Sequence, residues 1–306
     1  MSRERMRPHE PLVDAARALL THAERALHDV LPNARRGDPD AVHDARARLR
    51  RVRTEIEALA PIVFRRRAAH RAERRLRQLE RALARSRDDD VLLASVQAHQ
   101  KARPDEREDL KSLVSLLEHR RRNDRVRRRD ALDKRRCREA RAALRELGRR
   151  ARHRPSDLRE RVRDVVPELV WRSLDEVLAF DPHTGDPETL HRLRSSCRRL
   201  RFTLEMFERA LVRPATLTRT LVVAQDELGA LHDHHVAITR IERWLARGEL
   251  DTSRGLDAYI ATRRAAALRI VRQRKWLSVF APDFRQAIER ALPRLGSVAH
   301  RRTGRT

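Results

Sequence analysis

Two stretches of the chain repeat one spacing of histidine and arginine. They run from His43 to Arg53 and, 148 residues later, from His191 to Arg201, and both follow the pattern H-x-x-R-x-x-x-R-R-x-R. For so arginine-rich a chain, composition predicts about half of one Arg–Arg match in ten positions, whereas the two copies share four. Because guanidinium groups make bidentate, charge-assisted hydrogen bonds with phosphate, the repeated motif indicates binding of a phosphate-rich anion.

The motif side chains act together only if a helix carries them, since helical residues three and four apart share a face. The basic faces are His43, Arg46, Arg50 and Arg53 in the first copy, and His191, Arg194, Arg198 and Arg201 in the second. At 100° per residue, each set falls within about 80°. The apolar faces are Val42, Leu49, Val52, Ile56 and Leu59, and Leu190, Cys197, Leu200 and Leu204. Each copy therefore predicts an amphipathic helix whose apolar face lies in the core.

The position of the second copy, close to half a chain length downstream, predicts an internal duplication. A second pair of segments supports it, because Leu83–Val91 aligns with Leu228–Val236 in the same order after each motif. Helical periodicity runs nearly throughout the chain, and Ala, Leu, Arg and Glu are all good helix formers. We therefore expect an all-α fold of two pseudo-twofold-related antiparallel four-helix bundles.

Short breaks rich in Pro and Gly divide the helices and suggest where the bundles begin and end. The segment 32–39 separates a first helix from the first motif, and 153–156 is the best candidate for the junction between the halves. We expect bundles at 10–152 and 157–295 within one unit spanning 1–306. The terminal segments 1–11 and 301–306 are expected to be frayed.

The charge of the chain favours a polyanionic partner. It has 71 basic residues, of which only four are Lys, against 45 acidic residues, which gives a formal net charge of +26. Such a charge repels itself unless a polyanion or counterions offset it, which points to nucleic acid, an anionic membrane surface or a polyphosphate chain. Aromatic residues make up only 3% of the chain, so stacking platforms for single-stranded nucleic acid are not expected.

Other sequence features limit the location and covalent chemistry of the protein. There is no secretory signal pattern, and no apolar run approaches the length of a membrane span, so we expect a cytoplasmic protein without a membrane span. Two cysteines, Cys137 and Cys197, do not suggest a disulfide framework. Cys197 occupies the position of Leu49 in the other copy, which predicts a small core residue.

The segment His232-Asp233-His234-His235 is the one candidate metal site, and its His-Asp pair is typical of metal-dependent phosphohydrolases. Adjacent helical residues point about 100° apart, so one ion cannot readily use all four side chains. His232 aligns with Arg87 of the first half, which favours an anion contact. Neither a Gly-rich phosphate loop nor a nucleophile elbow is present. We therefore expect no metal, no cofactor and no enzymatic activity.

The region from His191 to Phe202 resembles the signature of the CHAD domain, the conserved-histidine α-helical domain: a His, spaced basic residues, R-R-x-R and then an aromatic residue. Phe202 stands where Tyr is usual, and the first copy has Thr54 there. A later signature, a Leu-Gly run before a basic-Asp pair, resembles Leu228–Asp233 and more loosely Leu83–Asp88. The resemblance spans about residues 10 to 295 and implies two four-helix bundles whose basic residues converge on a groove or pore that binds inorganic polyphosphate.

The motif and the resemblance together predict non-enzymatic binding of inorganic polyphosphate in a basic groove lined by both halves. The predicted binding residues are His43, Arg46, Arg50, Arg51, Arg53, Arg87, His191, Arg194, Arg198, Arg199, Arg201 and His232. One alternative is general binding of nucleic acid or other polyanions, and another is a metal-dependent phosphohydrolase that uses His232 and Asp233. Polyphosphate granules or other storage granules are the candidate location within the cytoplasm.

Overall fold

The fold of the described chain is entirely α-helical. A computed structural model describes residues 5–151 and 160–293, apart from the side chains of 84–87, 125 and 128. It is 82% helical, with no strand in the described part, which confirms the expected all-α class. The helices are α1 (Leu12–Arg36), α2 (Pro39–Leu59), α3 (Arg66–Ala102), α4 (Lys111–Ala131), α5 (Lys134–Arg149), α6 (Val162–Leu178), α7 (Pro187–Met206), α8 (Ala215–Ala246), α9 (Arg254–Gln273) and α10 (Pro282–Ala291). Short 3₁₀ turns lie at Pro104–Glu106, Glu208–Ala210 and Lys275–Phe280.

The two motif helices, α2 and α7, begin in the same way. The side chain of Asp38 accepts a hydrogen bond from the backbone of Ala41 at 2.8 Å, and that of Asp186 accepts one from Thr189 at 2.8 Å. A proline follows each Asp, where the missing N–H costs nothing because no helical partner exists there. The Asp-Pro pairs therefore fix the start of both helices and the phase of their basic faces.

The apolar faces of α2 and α7 are buried as predicted. All nine predicted core residues of these helices are at most 3% exposed, and Cys197 is among them as a free thiol. Burial of each Leu side chain is worth about 1.5–3 kcal/mol relative to exposure. Packing of these faces therefore determines the orientation of the basic faces.

The break before the first motif helix is shorter than expected, and the expected fraying of the N-terminus is wrong for residues 5–11. Helix α1 continues through Pro32 to Arg36 and ends at Gly37, whose φ of 96° is the left-handed conformation that glycine adopts readily. Residues 5–11 are not frayed, because Met6 is only 2% exposed and its N–H donates to the carbonyl of Met206 at 3.2 Å. The expected junction at 153–156 and the C-terminal segment 301–306 lie outside the described residues.

Apolar side chains form two cores, and each contains residues from both halves. The larger core takes side chains from α1, α2, α3 and α5 together with α6, α7, α8 and α10. The smaller core joins α3 and α4 to α8 and α9, with Trp244 and Tyr259 among its buried residues. Helices α3 and α8, with 37 and 32 residues, extend through both cores. The halves are therefore held together at two places, and the apolar faces of the motif helices belong to the larger core.

Gly255 allows close packing of α9 against the segment before α4, and its replacement tests the smaller core. Its N–H donates to Asp109 Oδ2 at 2.7 Å, and a Cβ there would lie 2.6 Å from the Asp109 Cβ. We expect Gly255→Ala to lower the free energy of unfolding by about 1–3 kcal/mol, because Asp109 must move. Urea unfolding measures this change.

The matched control is Gly185→Ala, since a Cβ at Gly185 would meet no atom within 4 Å. That variant should keep or slightly raise the free energy of unfolding, because alanine restricts the unfolded chain. Equal stabilities of the two variants would contradict tight packing at Gly255.

Candidate anion-binding cleft

The two copies of the motif face one cleft between the halves. Helices α2 and α3 line one wall, α7 and α8 line the other, and α9 contributes one further side chain to a volume of about 770 Å³. Nine of the predicted residues line this cleft: His43, Arg46, Arg50, Arg53, His191, Arg194, Arg198, Arg199 and His232. The fold thus brings basic side chains that are distant in sequence into one concave surface.

Arg51 and Arg201 are predicted binding residues that do not line the cleft. Arg51 forms an ion pair with Glu205, and its guanidinium carbon lies 4.6 Å from the centre of the Phe202 ring. The guanidinium carbon of Arg201 lies 5.2 Å from the same ring centre. Since Arg51 belongs to α2 and Phe202 to α7, these cation–π contacts join the motif helices. The remaining predicted binding residue, Arg87, has its side chain outside the described residues.

Two carboxylates on α3 neutralise much of the α2 wall. Glu80 accepts a hydrogen bond from Arg50 Nε at 3.0 Å and forms an ion pair with Arg53. Asp88 lies 3.8 Å from a guanidinium nitrogen of Arg46, and burial raises the pKa of its carboxyl despite nearby arginines. Asp88 ends the looser copy of the second sequence signature, whereas Glu80 belongs to no repeat or motif and was not predicted.

The α7 wall keeps more of its positive charge. Within the described part of the chain, neither Arg194 nor Arg198 forms an ion pair. Burial, with repulsion from Arg50 and Arg194, lowers the pKa of Arg198 to about 9. A third arginine of this wall, Arg199, donates to Glu176 at 2.8 Å. Arg194 and Arg198 are thus motif arginines without a described ion pair, although the charges of Asp233 and Glu80 act on them at longer range.

Two histidines from different helices stack in this positive region. The ring centres of His191 and His232 lie 4.3 Å apart, with a tilt of 32°. Burial, then the charges of His191 and Arg194, lower the pKa of His232 to about 4. Burial and the neighbouring Arg194 and Arg198 also lower the pKa of His191. Both rings are therefore neutral near pH 7 in the free protein, and each ring can donate one N–H to an anion.

Gly229 determines how closely Arg194 approaches α8. A Cβ at this position would lie 3.0 Å from Arg194 Nη2 and 3.4 Å from its Cζ. The guanidinium thus lies against the helix where any larger residue would displace it. This contact gives a physical reason for the Leu-Gly pair in the second sequence signature.

One cationic residue of the cleft, Arg263 on α9, was not predicted. Its Nε donates to the hydroxyl of Tyr259 at 3.0 Å, and its Nη1 lies 3.0 Å from His234 Nδ1. Burial and the charge of Arg263 lower the pKa of His234 to about 4, so His234 can accept this hydrogen bond. Arg263 lies outside both copies of the motif, and only its i, i+4 spacing from the single tyrosine distinguishes it in the sequence.

The His-Asp-His-His segment points its rings at different neighbours. His232 stacks on His191, whereas His234 contacts Arg263 on another helix. Among the described residues, no three His, Cys, Asp or Glu side chains are grouped so that one metal ion could bind them.

Within the same residues, every helix is too short or too polar to cross a membrane.

The CHAD domain family model matches residues 14–179 and again 169–305. The chain therefore belongs to the CHAD domain family, and the double match agrees with the internal duplication. The crystal structure of the CHAD domain from the plant Ricinus communis is similar, with a TM-score of 0.66 and 20% identity over 94% of this chain and 93% of that chain. PptA from Streptomyces chartreusis is also similar, with a TM-score of 0.63 and 14% identity over 89% of this chain and 99% of that chain. At these identities the similarity concerns the fold. No curated protein matches the chain.

The pKa of His232 gives a test of the electrostatics of the free cleft. Because it falls from 6.5 to about 4 on folding, the unfolded chain takes up this proton first as the pH drops. The contribution of His232 to stability is therefore complete above about pH 6.5 and is lost as the pH falls towards 4. NMR titration of the imidazole signals should show the low pKa directly.

Arg194→Gln should raise the pKa of His232, because it removes a neighbouring positive charge. Arg264→Gln is the matched control, since Arg264 is exposed and pairs with Glu242 away from the cleft. A His232 pKa near 6.5 in the wild-type protein would contradict the burial described here.

Proposed function

We propose that the chain binds inorganic polyphosphate in the cleft and does not catalyse a reaction on it. The observation that carries this proposal is the convergence of both copies of the arginine motif on one concave surface. The bundles at 10–152 and 157–295 would each supply one wall. Membership of the CHAD domain family supports the same ligand. A protein with this activity is expected in the cytoplasm, at granules that store polyphosphate.

The electrostatics of the cleft suit a linear polyanion. Arg50 and Arg198 belong to opposite walls, and their mutual repulsion contributes to the low pKa of Arg198. A phosphate between them replaces this repulsion with two charge-assisted hydrogen bonds. Polyphosphate carries negative charge on every unit, so one chain can neutralise successive arginines along the cleft.

The composition of the cleft favours polyphosphate over nucleic acid. Its lining contains no Trp, Tyr or Phe among the described residues, whereas proteins that bind single strands stack bases on such rings. Polyphosphate has no bases to accommodate. We therefore expect DNA and RNA to compete only weakly with polyphosphate for the cleft.

The decisive test removes one arginine from each wall. We expect Arg50→Ala with Arg198→Ala to weaken binding of long-chain polyphosphate by at least roughly 100-fold, since two charge-assisted contacts are lost and each is worth about 1.5–3 kcal/mol. Isothermal titration at two salt concentrations measures the affinity, which should fall steeply with salt because binding releases counterions.

The matched control, Arg219→Ala with Arg264→Ala, removes the same number of charges from exposed positions of α8 and α9. This variant should lose little affinity. Equal losses in the two folded double variants would mean that net charge, and not the cleft, holds the ligand. Tighter binding of DNA or RNA would favour the nucleic-acid alternative, and release of phosphate from polyphosphate with Mg²⁺ would favour the phosphohydrolase.

Glu80 is an internal competitor for the ligand in this proposal. Its carboxylate forms ion pairs with both Arg50 and Arg53 in the free protein. We expect Glu80→Gln to bind long-chain polyphosphate several-fold more tightly and with a steeper salt dependence, because two arginines gain net charge. Titration at several salt concentrations measures both effects.

The matched control is Glu242→Gln, which removes an exposed carboxylate that pairs with Arg264. It should have little effect on affinity. Weaker binding by the Glu80 variant would mean that the carboxylate is needed to hold the two arginines in place.

A further inference from the structure

Three residues of α3 give the length of the cleft along this helix. Glu80, Asp88 and Ser95 of α3 all line the cleft, and at 100° per residue they fall within about 80° of one another. At a rise of 1.5 Å per residue, Glu80 lies about 12 Å from Asp88, and Asp88 about 10 Å from Ser95. The three residues therefore define a line about 22 Å long.

A cationic side chain lies at each of these positions. Arg50 and Arg53 contact Glu80, and Arg46 lies beside Asp88. At the far position, Ser95 Oγ lies 2.8 Å from the hydroxyl of Tyr259, which in turn accepts a hydrogen bond from Arg263 Nε at 3.0 Å. The row of cationic side chains along α3 thus continues beyond the arginines of the repeated motif and ends at Arg263 of α9.

Several contacts fix the orientation of Arg263. Tyr259 is only 1% exposed, and its ring packs edge-on against His99 with ring centres 5.1 Å apart. The guanidinium carbon of Arg263 lies 5.1 Å from the Tyr259 ring centre, and His234 contacts its other side. Such a rigid, oriented guanidinium loses little entropy when it binds an anion.

Arg263 also differs from the arginines of the α2 wall in its partners. Its described hydrogen-bond partners are the hydroxyl of Tyr259 and the imidazole of His234, and a pKa of about 4 leaves His234 uncharged near pH 7. Arg50 and Arg46, in contrast, each have a carboxylate nearby. The full charge of Arg263 is therefore available to a ligand that reaches the far end of the cleft.

We propose that Arg263 forms a distal subsite that makes the cleft selective for long polyphosphate chains. This inference rests on the proposed function. A chain bound between Arg50 and Arg198 reaches Arg263 only if it spans the length of α3 from Glu80 to Ser95. Tripolyphosphate is too short to occupy both places, so Arg263 adds affinity for long chains and none for short ones.

The experiment measures two ligands on three variants. Arg263→Gln should weaken binding of long-chain polyphosphate roughly tenfold and leave the affinity for tripolyphosphate unchanged. Tyr259→Phe removes the hydroxyl that positions Arg263 and should cause a smaller loss with the same dependence on chain length. Arg264→Gln, the neighbouring exposed arginine, should keep both affinities. Circular dichroism and thermal unfolding check that each variant is folded.

A merely structural role for Arg263 would not produce this dependence on chain length. Equal weakening of both ligands, or no change for either, in a folded Arg263→Gln protein would overturn the subsite. Failure of the proposed function would give a different result from failure of the subsite. The wild-type protein would then bind neither ligand at the cleft, and the Arg50 and Arg198 double variant would have the same affinity as its control.

Discussion

Burial of arginines that face one cleft from opposite walls is the constraint on which the rest of the structure depends. Burial is the main cause of the lowered pKa of Arg198, and repulsion from Arg50 of the opposite wall adds to it. The opposite faces of the same two helices bury Leu49, Leu200 and their neighbours, and this apolar burial offsets the repulsion. Two cores shared by both halves then keep the walls in place. The packed framework thus holds several buried or partly buried arginines on one concave surface.

The two walls have diverged although they derive from one motif. On α2, Arg50, Arg53 and Arg46 have carboxylates of α3 close by. On α7, Arg194 lies against Gly229, and its pKa is lowered by burial. Phe202, which stands where the first copy has Thr54, makes cation–π contacts with Arg51 of α2 and Arg201 of α7 and so joins the two motif helices. The α2 wall thus supplies arginines paired with carboxylates, whereas the α7 wall supplies two partly buried arginines, Arg194 and Arg198, without a described ion pair.

Features that repeat within one helix could be predicted from the sequence, and features that depend on distant pairing could not. The apolar faces of α2 and α7 follow from helical periodicity, and the Asp-Pro starts of both helices are local signals. Glu80 lies about 30 residues from its arginine partners, and a single carboxylate in a charged chain carries no pattern. Arg263 enters the cleft only because Tyr259 anchors it to α3. The burial of Met6 depends on the end of α7, which no local pattern at the N-terminus reveals.

The stacked histidines link the charge of the cleft to its occupancy. In the free protein, burial and neighbouring cations keep His191 and His232 neutral near pH 7, which limits the repulsion that the fold must withstand. Under the proposed function, a bound polyanion would favour the protonated imidazoles and raise their pKa values. Binding would then be accompanied by proton uptake at any pH between the free and bound pKa values, and affinity would increase as the pH falls through that window. The proposed ligand would thus supply the negative charge that protonated histidines in this cleft require.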